Sequence, residues 1–420
     1  MPGTGTSQEE GDTISTTKIL VSVEKSNGKH TRVALTENGQ LTEIFYENPG
    51  KRDLVGNVYK GAVEDVLSGL GSAFVDVGES ESLFLSQSEI NEAILRSRGF
   101  DPGSYPPSIN KVINSGESLI VQVRREGIGS KNPQATTKIS LPGRFWVFLP
   151  KDRRLGISRR ITDEGEVSRL KEVASSLKEE NEGLIARTAS VNASREDLER
   201  DFNFLLGTWK GIEDEARRKS APALLHENAD LVRRVIRDRL LDNVDLVVLD
   251  SKESYEEVRD YLHYLRMDEY EDRVQLYEDD PPLFEKYNIT DQIQRSLERE
   301  VPLDSGGYLV IDETEALTAI DVNTGSDVEH KNQSRAILNT NLAAAEEIPR
   351  QLRLRKISGI IVVDFVDMYK QNHQEDVIQR LKENLREDRV PADFIDMTDL
   401  GLVEITRKRE GESLSTMLEE

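Results

Sequence analysis

Two aspartates interrupt apolar runs in the last third of the chain: Asp321 in "LTAIDVNTG" and Asp364 in "GIIVVDFVDM". Each follows a stretch that reads as a buried strand, where an ionised carboxylate is costly unless something compensates it. Period-two alternation places Asp321 and Asn323 on one face of their strand, with Ala319 between them and the core. Two carboxylates brought to one sheet edge repel unless a cation sits between them or one of them is protonated. Magnesium suits such a pair, because it takes one or two carboxylates, keeps several waters and leaves room for phosphate oxygens. An amide such as that of Asn323 can then hold a carboxylate in place. Taken alone, the pair reads more readily as two unrelated strand-end aspartates that cap helices or turns.

The elements around the pair decide whether the two residues can meet. "GGYLVI" and "ALTAIDVN" predict an antiparallel pair joined by the polar turn "DETE". "SRAILNTNLAAAEEI" predicts a helix interrupted at Pro349, and "GIIVVDF" an unbroken apolar strand. Strand, helix, strand is a crossover unit, so the two aspartate strands are expected to run parallel with their carboxyl ends on one edge, where α/β sheets place their sites. Upstream, "KILVSVEKSNGKHTRVALTENGQLTEIFYE" predicts a three-stranded meander, and "GNVYKGAVEDVLSGLGSAFVDVGESESLFL" the short, evenly spaced strands of a small β-barrel. A helix near 164–180, a strand at "GLIARTA", a long helical stretch from about 194 to 241 and a buried strand at "VDLVVLDS" follow.

The 420 residues carry no cysteine, which excludes disulfides and thiolate metal sites within the chain. No apolar run of 18 residues is present and "MPGTGTSQEEGDTISTTK" has no apolar core, so neither a membrane span nor a secretory signal is read; the expected compartment is the cytoplasm. A net charge of −23 argues against nucleic acid at long range. Its distribution argues otherwise: from Arg124 to Arg160 ten basic residues face two acidic ones, a basic island of the kind that lines a phosphate-binding groove.

The motifs "GGYLVIDETEALTAIDVNTG", "NTNLAAAEEIPRQLRLR", "GIIVVDFVDM" and "GLVEITRKR" closely resemble the catalytic signature of the bacterial ribonuclease E/G family, in order and over most of residues 18–412. The resemblance implies an α+β multidomain fold: a disordered tail at 1–17; a ribonuclease H-like subdomain from 18–52 plus 233–296; an inserted S1-type OB-fold barrel at 53–137; a 5′-monophosphate sensor region at 138–232; and a DNase I-like catalytic subdomain at 297–420. It also implies a magnesium-dependent endoribonuclease that cuts single-stranded RNA to 5′-phosphate and 3′-hydroxyl ends, in messenger RNA decay and in ribosomal and transfer RNA processing. The family's metal-binding aspartates fall on Asp321 and Asp364, and its supporting asparagine on Asn323. Its RNA-stacking aromatics fall on Phe74 and Phe84, although strand aromatics more often face a core, and its basic RNA contacts fall on Arg125 and Lys131. Its 5′-phosphate pocket falls on Arg187 and Thr188, with Gly143 and Val147 as wall and the Arg159, Arg160 pair beside it.

Three departures stand out. The family's Cys-x-x-Cys zinc link, just beyond "TRKR", cannot form through cysteine here, so a homodimer held by the C-terminal region is expected ahead of a higher oligomer. "RVPADFIDMTD", with Pro391, replaces a more basic family segment, and Pro349 removes a hydrogen bond from the helix between the aspartates. The alternative reading is a non-catalytic RNA-binding scaffold derived from the same fold, against which the intact Asp321, Asn323 and Asp364 argue.

Overall fold

The computed structural model describes residues 16–24, 30–47, 54–103, 107–127, 132–240, 244–265, 267–325, 333–409 and 413–419; nearly all of the expected N-terminal tail, and Lys131, lie outside them. The chain is mixed α+β, with its strands in four sheets.

The first sheet joins distant parts of the sequence. Strands Thr17–Glu24, His30–Glu37 and Gln40–Glu47 form the expected antiparallel meander, and Thr17–Glu24 also pairs in parallel with Leu246–Leu249, which pairs in parallel with Val274–Leu276. The apolar run "LVVL" lies between two strands under the helices Leu231–Arg239 and Lys252–Tyr264, so its valines and leucines are enclosed.

The barrel is closed. Strands Val58–Leu67, Ser72–Asp76, Leu83–Ser86, Gln134–Thr136 and Ser118–Arg125 pair in a ring, and Ser118–Arg125 returns to Val58–Leu67. Ala73, Val75, Leu83, Leu85, Val121 and Val123 fill its interior. A third, smaller sheet of Leu155–Ile157, Glu182–Ala186, Trp146–Pro150 and Leu141–Pro142 is backed by the helices Glu164–Leu177 and Arg195–Arg218.

The fourth sheet carries both aspartates. Its order is Glu300–Pro302, Tyr308–Glu313, Leu317–Asn323, Gly359–Asp364, Val403–Arg407, Ala392–Met397. The helices Gln333–Leu354 and Gln371–Arg386 cover one face, where Leu309, Ile320, Val322, Ile361, Val363 and Ile405 meet Ala344, Ile348, Leu352, Val377 and Leu381. Each enclosed valine, leucine or isoleucine contributes about 1.5–3 kcal/mol, and this one-sided core holds the sheet against its helices. The opposite face is open, with Ala319, Asp321, Ile360 and Asp364 exposed on it. Ala319 therefore stands beside Asp321 on the open face and does not screen it from the core.

Two other expectations are corrected. The helix Gln333–Leu354 runs through Pro349 without a break. One lost backbone bond is outweighed by the buried stripe of Ala344, Ala345, Ile348 and Leu352 around the proline. The stretch from 194 to 241 is not one helix: Arg195–Arg218 ends before Pro222, the segment Ala223–His226 pairs with the first barrel strand, and Leu231–Arg239 starts anew with the Asp230 side chain accepting from Arg233 N. Helical periodicity in "LLH" cannot reveal that a barrel edge needs a partner there.

Candidate active site and phosphate pocket

The two aspartate strands pair in parallel with Asp321 directly across from Asp364. This register follows from the core: Ile320 against Val363 and Thr318 against Ile361 point to the helices, so the alternate positions turn outward together. Asn323 Nδ2 donates to Asp321 Oδ2 at 2.9 Å, which fixes one carboxylate oxygen. Partial burial, then the charges of Asp321 and Asp367, push the Asp364 carboxyl above its ordinary range. A site that penalises its own negative charge in this way is suited to a cation, and oxygen-only donors on an exposed edge fit a hard one that keeps its waters. Asp321 and Asp364 would hold magnesium, and Asn323 would orient the first of them.

Several supporting residues escaped sequence reasoning. Asp367 adds a third carboxylate just past the strand end, although its "DFVD" spacing was visible. Asn341 is fully buried on the crossover helix, where its Nδ2 donates to Val366 O at 2.8 Å and its Oδ1 accepts from Val366 N at 3.1 Å. This bidentate amide ties down the loop that follows Asp364; the only sequence signal was a polar residue on an otherwise alanine-rich face. Gly307 is required at the other side, because a Cβ there would stand 2.4 Å from the carbonyl oxygen of Asn323. We expect Asn323→Ala to lower cleavage by roughly 10- to 100-fold, the range for partners that orient a metal ligand, with magnesium titration of the variant showing the loss as weaker metal dependence.

Among the described residues, one cluster gathers three metal-ligating types within 4.8 Å: His263, Asp268 and Glu271. Its groups are already engaged, His263 Nδ1 with Asp268 Oδ1 at 2.7 Å and Glu271 with Arg259 at 2.8 Å. A guanidinium beside the carboxylate competes with any cation, so the aspartate pair is the better site.

The residues that the resemblance assigns to a phosphate pocket also converge. Arg187 N donates to Phe145 O at 2.8 Å, Arg187 Nη1 donates to Gly143 O, and Nη2 donates to Asp238 Oδ1 at 2.7 Å. Thr188 Oγ1 lies 3.2 Å from Ser158 Oγ, and Val147 pairs with Ile185 two positions before Arg187. Gly143 is dictated by Asp201: a Cβ would meet both carboxylate oxygens at 2.6 Å. Asp201 accepts from the backbone N–H groups of Arg144, Phe145 and Trp146 at 2.9–3.0 Å, and so shapes the loop under Arg187. Burial pushes its carboxyl up, against the pull of those three bonds and of Arg187. Asp201 was hidden in the sequence as one acid among many on a charged helix.

Half of the basic island is paired with acids. Arg124 pairs with Glu89, Arg144 with Glu269, Lys151 with Glu213, Arg153 with Glu180 and Arg154 with Asp152. Lys138 donates to Ser88 O. Arg125, Arg159 and Arg160 are exposed and make no ion pair among the described residues. Phe74 and Phe84 face each other across adjacent barrel strands, ring centroids 5.9 Å apart and edge to face. Both are half-buried on the outer surface while their neighbours fill the barrel, so strand alternation overrides the usual inward preference of aromatics.

A family model described as the Ribonuclease E/G family matches residues 140–410. The chain is 38% identical over 392 residues to Ribonuclease G of Haemophilus influenzae, covering 92% of this chain and 79% of that protein. It is also 38% identical over 404 residues to Ribonuclease G of Escherichia coli K12, covering 96% and 82%. To Ribonuclease E of Haemophilus influenzae it is 39% identical over 389 residues, 91% of this chain but 41% of that longer protein. With the aspartate pair, its asparagine and the arginine pocket assembled on this fold, the chain belongs to the ribonuclease E/G family.

Proposed function

We propose that this protein is a magnesium-dependent endoribonuclease that hydrolyses single-stranded RNA to 5′-phosphate and 3′-hydroxyl ends, with messenger RNA and ribosomal or transfer RNA precursors as its substrates. The observation that carries the reading is the register pairing of Asp321 with Asp364, with Asn323 bonded to Asp321. The sheet that joins 17–47 to 246–276 serves as a ribonuclease H-like subdomain, the barrel as an S1-type OB-fold, the small sheet with Arg187 as a 5′-monophosphate sensor, and the fourth sheet as a DNase I-like catalytic subdomain. When bound, magnesium supplies Lewis-acid polarisation of the phosphate and a water of lowered pKa. Asp321 and Asp364 provide the carboxylate oxygens, Asn323 keeps Asp321 turned outward, and Asn341 keeps the loop after Asp364 from drifting. Phe74 and Phe84 offer ring faces on which bases stack with little sequence preference, as a broad single-strand nuclease requires.

RNA affinity is expected to fall steeply with salt despite the net charge, because Arg125, Arg159 and Arg160, which make no ion pair among the described residues, and not the whole protein, meet the phosphates. In a filter-binding titration, Arg125→Glu is expected to reduce the salt slope by about one. An unchanged slope would move the RNA path away from the barrel. The catalytic half of the reading rests on metal-dependent cleavage of a labelled single strand.

A further inference from the structure

The Arg187 guanidinium is held from two sides. One hydrogen bond goes to Gly143 O within its own region, and the other crosses to Asp238 on the helix Leu231–Arg239. Asp238 is gripped in turn by the neighbouring Arg237, whose Nε donates to Oδ1 at 3.0 Å and Nη2 to Oδ2 at 3.1 Å. Arg237 is itself nearly enclosed, its side chain 9% exposed, and its Nη1 donates to Pro142 O at 3.4 Å beside Gly143. The backbone oxygen of Asp238 accepts from Arg389, which belongs to the segment between the last long helix and the edge strand of the catalytic sheet. Burial alone would raise the Asp238 carboxyl, but Arg187 and Arg237 hold it well below the usual carboxylate range, so it is ionised whenever the protein is folded near neutral pH.

We propose that Asp238 is a positioning residue for the Arg187 pocket, fixing the guanidinium so that its remaining N–H groups face a terminal phosphate. The inference rests on the reading of Arg187 as a phosphate contact. A guanidinium has five N–H donors; Gly143 and Asp238 take one from each terminal nitrogen and leave three in a fixed plane. A planar fork whose orientation is set on folding loses little freedom when an anion arrives. A carboxylate so close to Arg187 could instead compete with the phosphate. Arg237 argues against this, because it binds both oxygens of Asp238 and so holds that carboxylate in a fixed position beside Arg187. The contact from Arg389 brings the segment that leads into the edge strand of the fourth sheet onto the same helix turn.

The test compares kcat/KM of the full chain on a short single-stranded RNA bearing a 5′-monophosphate with that on its 5′-hydroxyl twin. Asp238→Asn keeps the shape and removes the charge. The ratio of the two constants is expected to fall roughly tenfold, the worth of one charged hydrogen bond, through a raised KM on the monophosphate substrate. Asp238→Glu should restore part of it. Damage to the fold would lower both substrates together and leave the ratio in place. Should the asparagine variant fail to melt cooperatively, Arg237→Gln, which leaves Asp238 but removes its second anchor, is read in the same way and with the same expected direction. A folded variant that keeps the unmutated ratio, or exceeds it, overturns the positioning role alone, the second result making Asp238 a competitor. A ratio of one in the unmutated protein overturns the phosphate pocket and the positioning role with it.

Discussion

Asp321→Asn and Asp364→Asn should each lower RNA cleavage on the order of 10³-fold or more while RNA affinity stays within a few fold. The expectation follows from the register. The two carboxylates face each other across adjacent parallel strands on the open side of the sheet, where neither contributes to the core, so neutralising one removes charge without removing packing. Asparagine is also nearly isosteric, and the bond from Asn323 can persist to the amide oxygen of residue 321. The loss should therefore appear in turnover and not in melting temperature; removing a charge that Asp364 feels as repulsive should leave the fold unchanged or slightly firmer. Full activity in both variants would remove the aspartates from the chemistry and favour a scaffold or a different site.

The second large effect concerns the substrate's 5′ end. Guanidinium bonds to a phosphate are charge-assisted and worth about 1.5–3 kcal/mol each, so one such bond corresponds to roughly a 10- to 100-fold preference for a 5′-monophosphate over a 5′-hydroxyl. In the proposed pocket Arg187 would supply it, its orientation set by Gly143 and Asp238, with Arg159 and Arg160 exposed and without an ion pair among the described residues. Arg187→Leu should bring the monophosphate rate down to the hydroxyl rate while magnesium dependence remains, since Asp321 and Asp364 stand on another sheet. Equal rates on both substrates by the unmutated protein would mean that RNA enters without reading its end.

Much of the fourth sheet was legible in the sequence because two periodicities agree there. Apolar alternation in "LTAIDVN" and the crossover helix together force the aspartate strands parallel, and a parallel register with both inner faces buried leaves the carboxylates one place to go. The proposed phosphate pocket was legible only through resemblance, since Arg-Thr has no pattern of its own. What shapes it comes from afar: Asp201 lies 56 positions from Phe145, and Asp238 lies 51 from Arg187. Such partners are ordinary acids on charged helices until the chain folds. The strand Ala223–His226 was missed for a related reason, as its only strand signal is the need of the barrel's first strand for a neighbour. Charge counting overstated the island, because five of its basic residues find acidic partners that a linear sum cannot pair.

The hard-cation nuclease site proposed at Asp321 and Asp364 is tested most directly by cleavage of an internally labelled single-stranded oligoribonucleotide by the purified chain, with magnesium and then with excess chelator. Cutting with magnesium, silence with chelator, recovery on adding magnesium back, and products that carry 5′-phosphate and 3′-hydroxyl ends are the predicted result. Cleavage that persists in chelator, or products ending in a 2′,3′-cyclic phosphate, would contradict it.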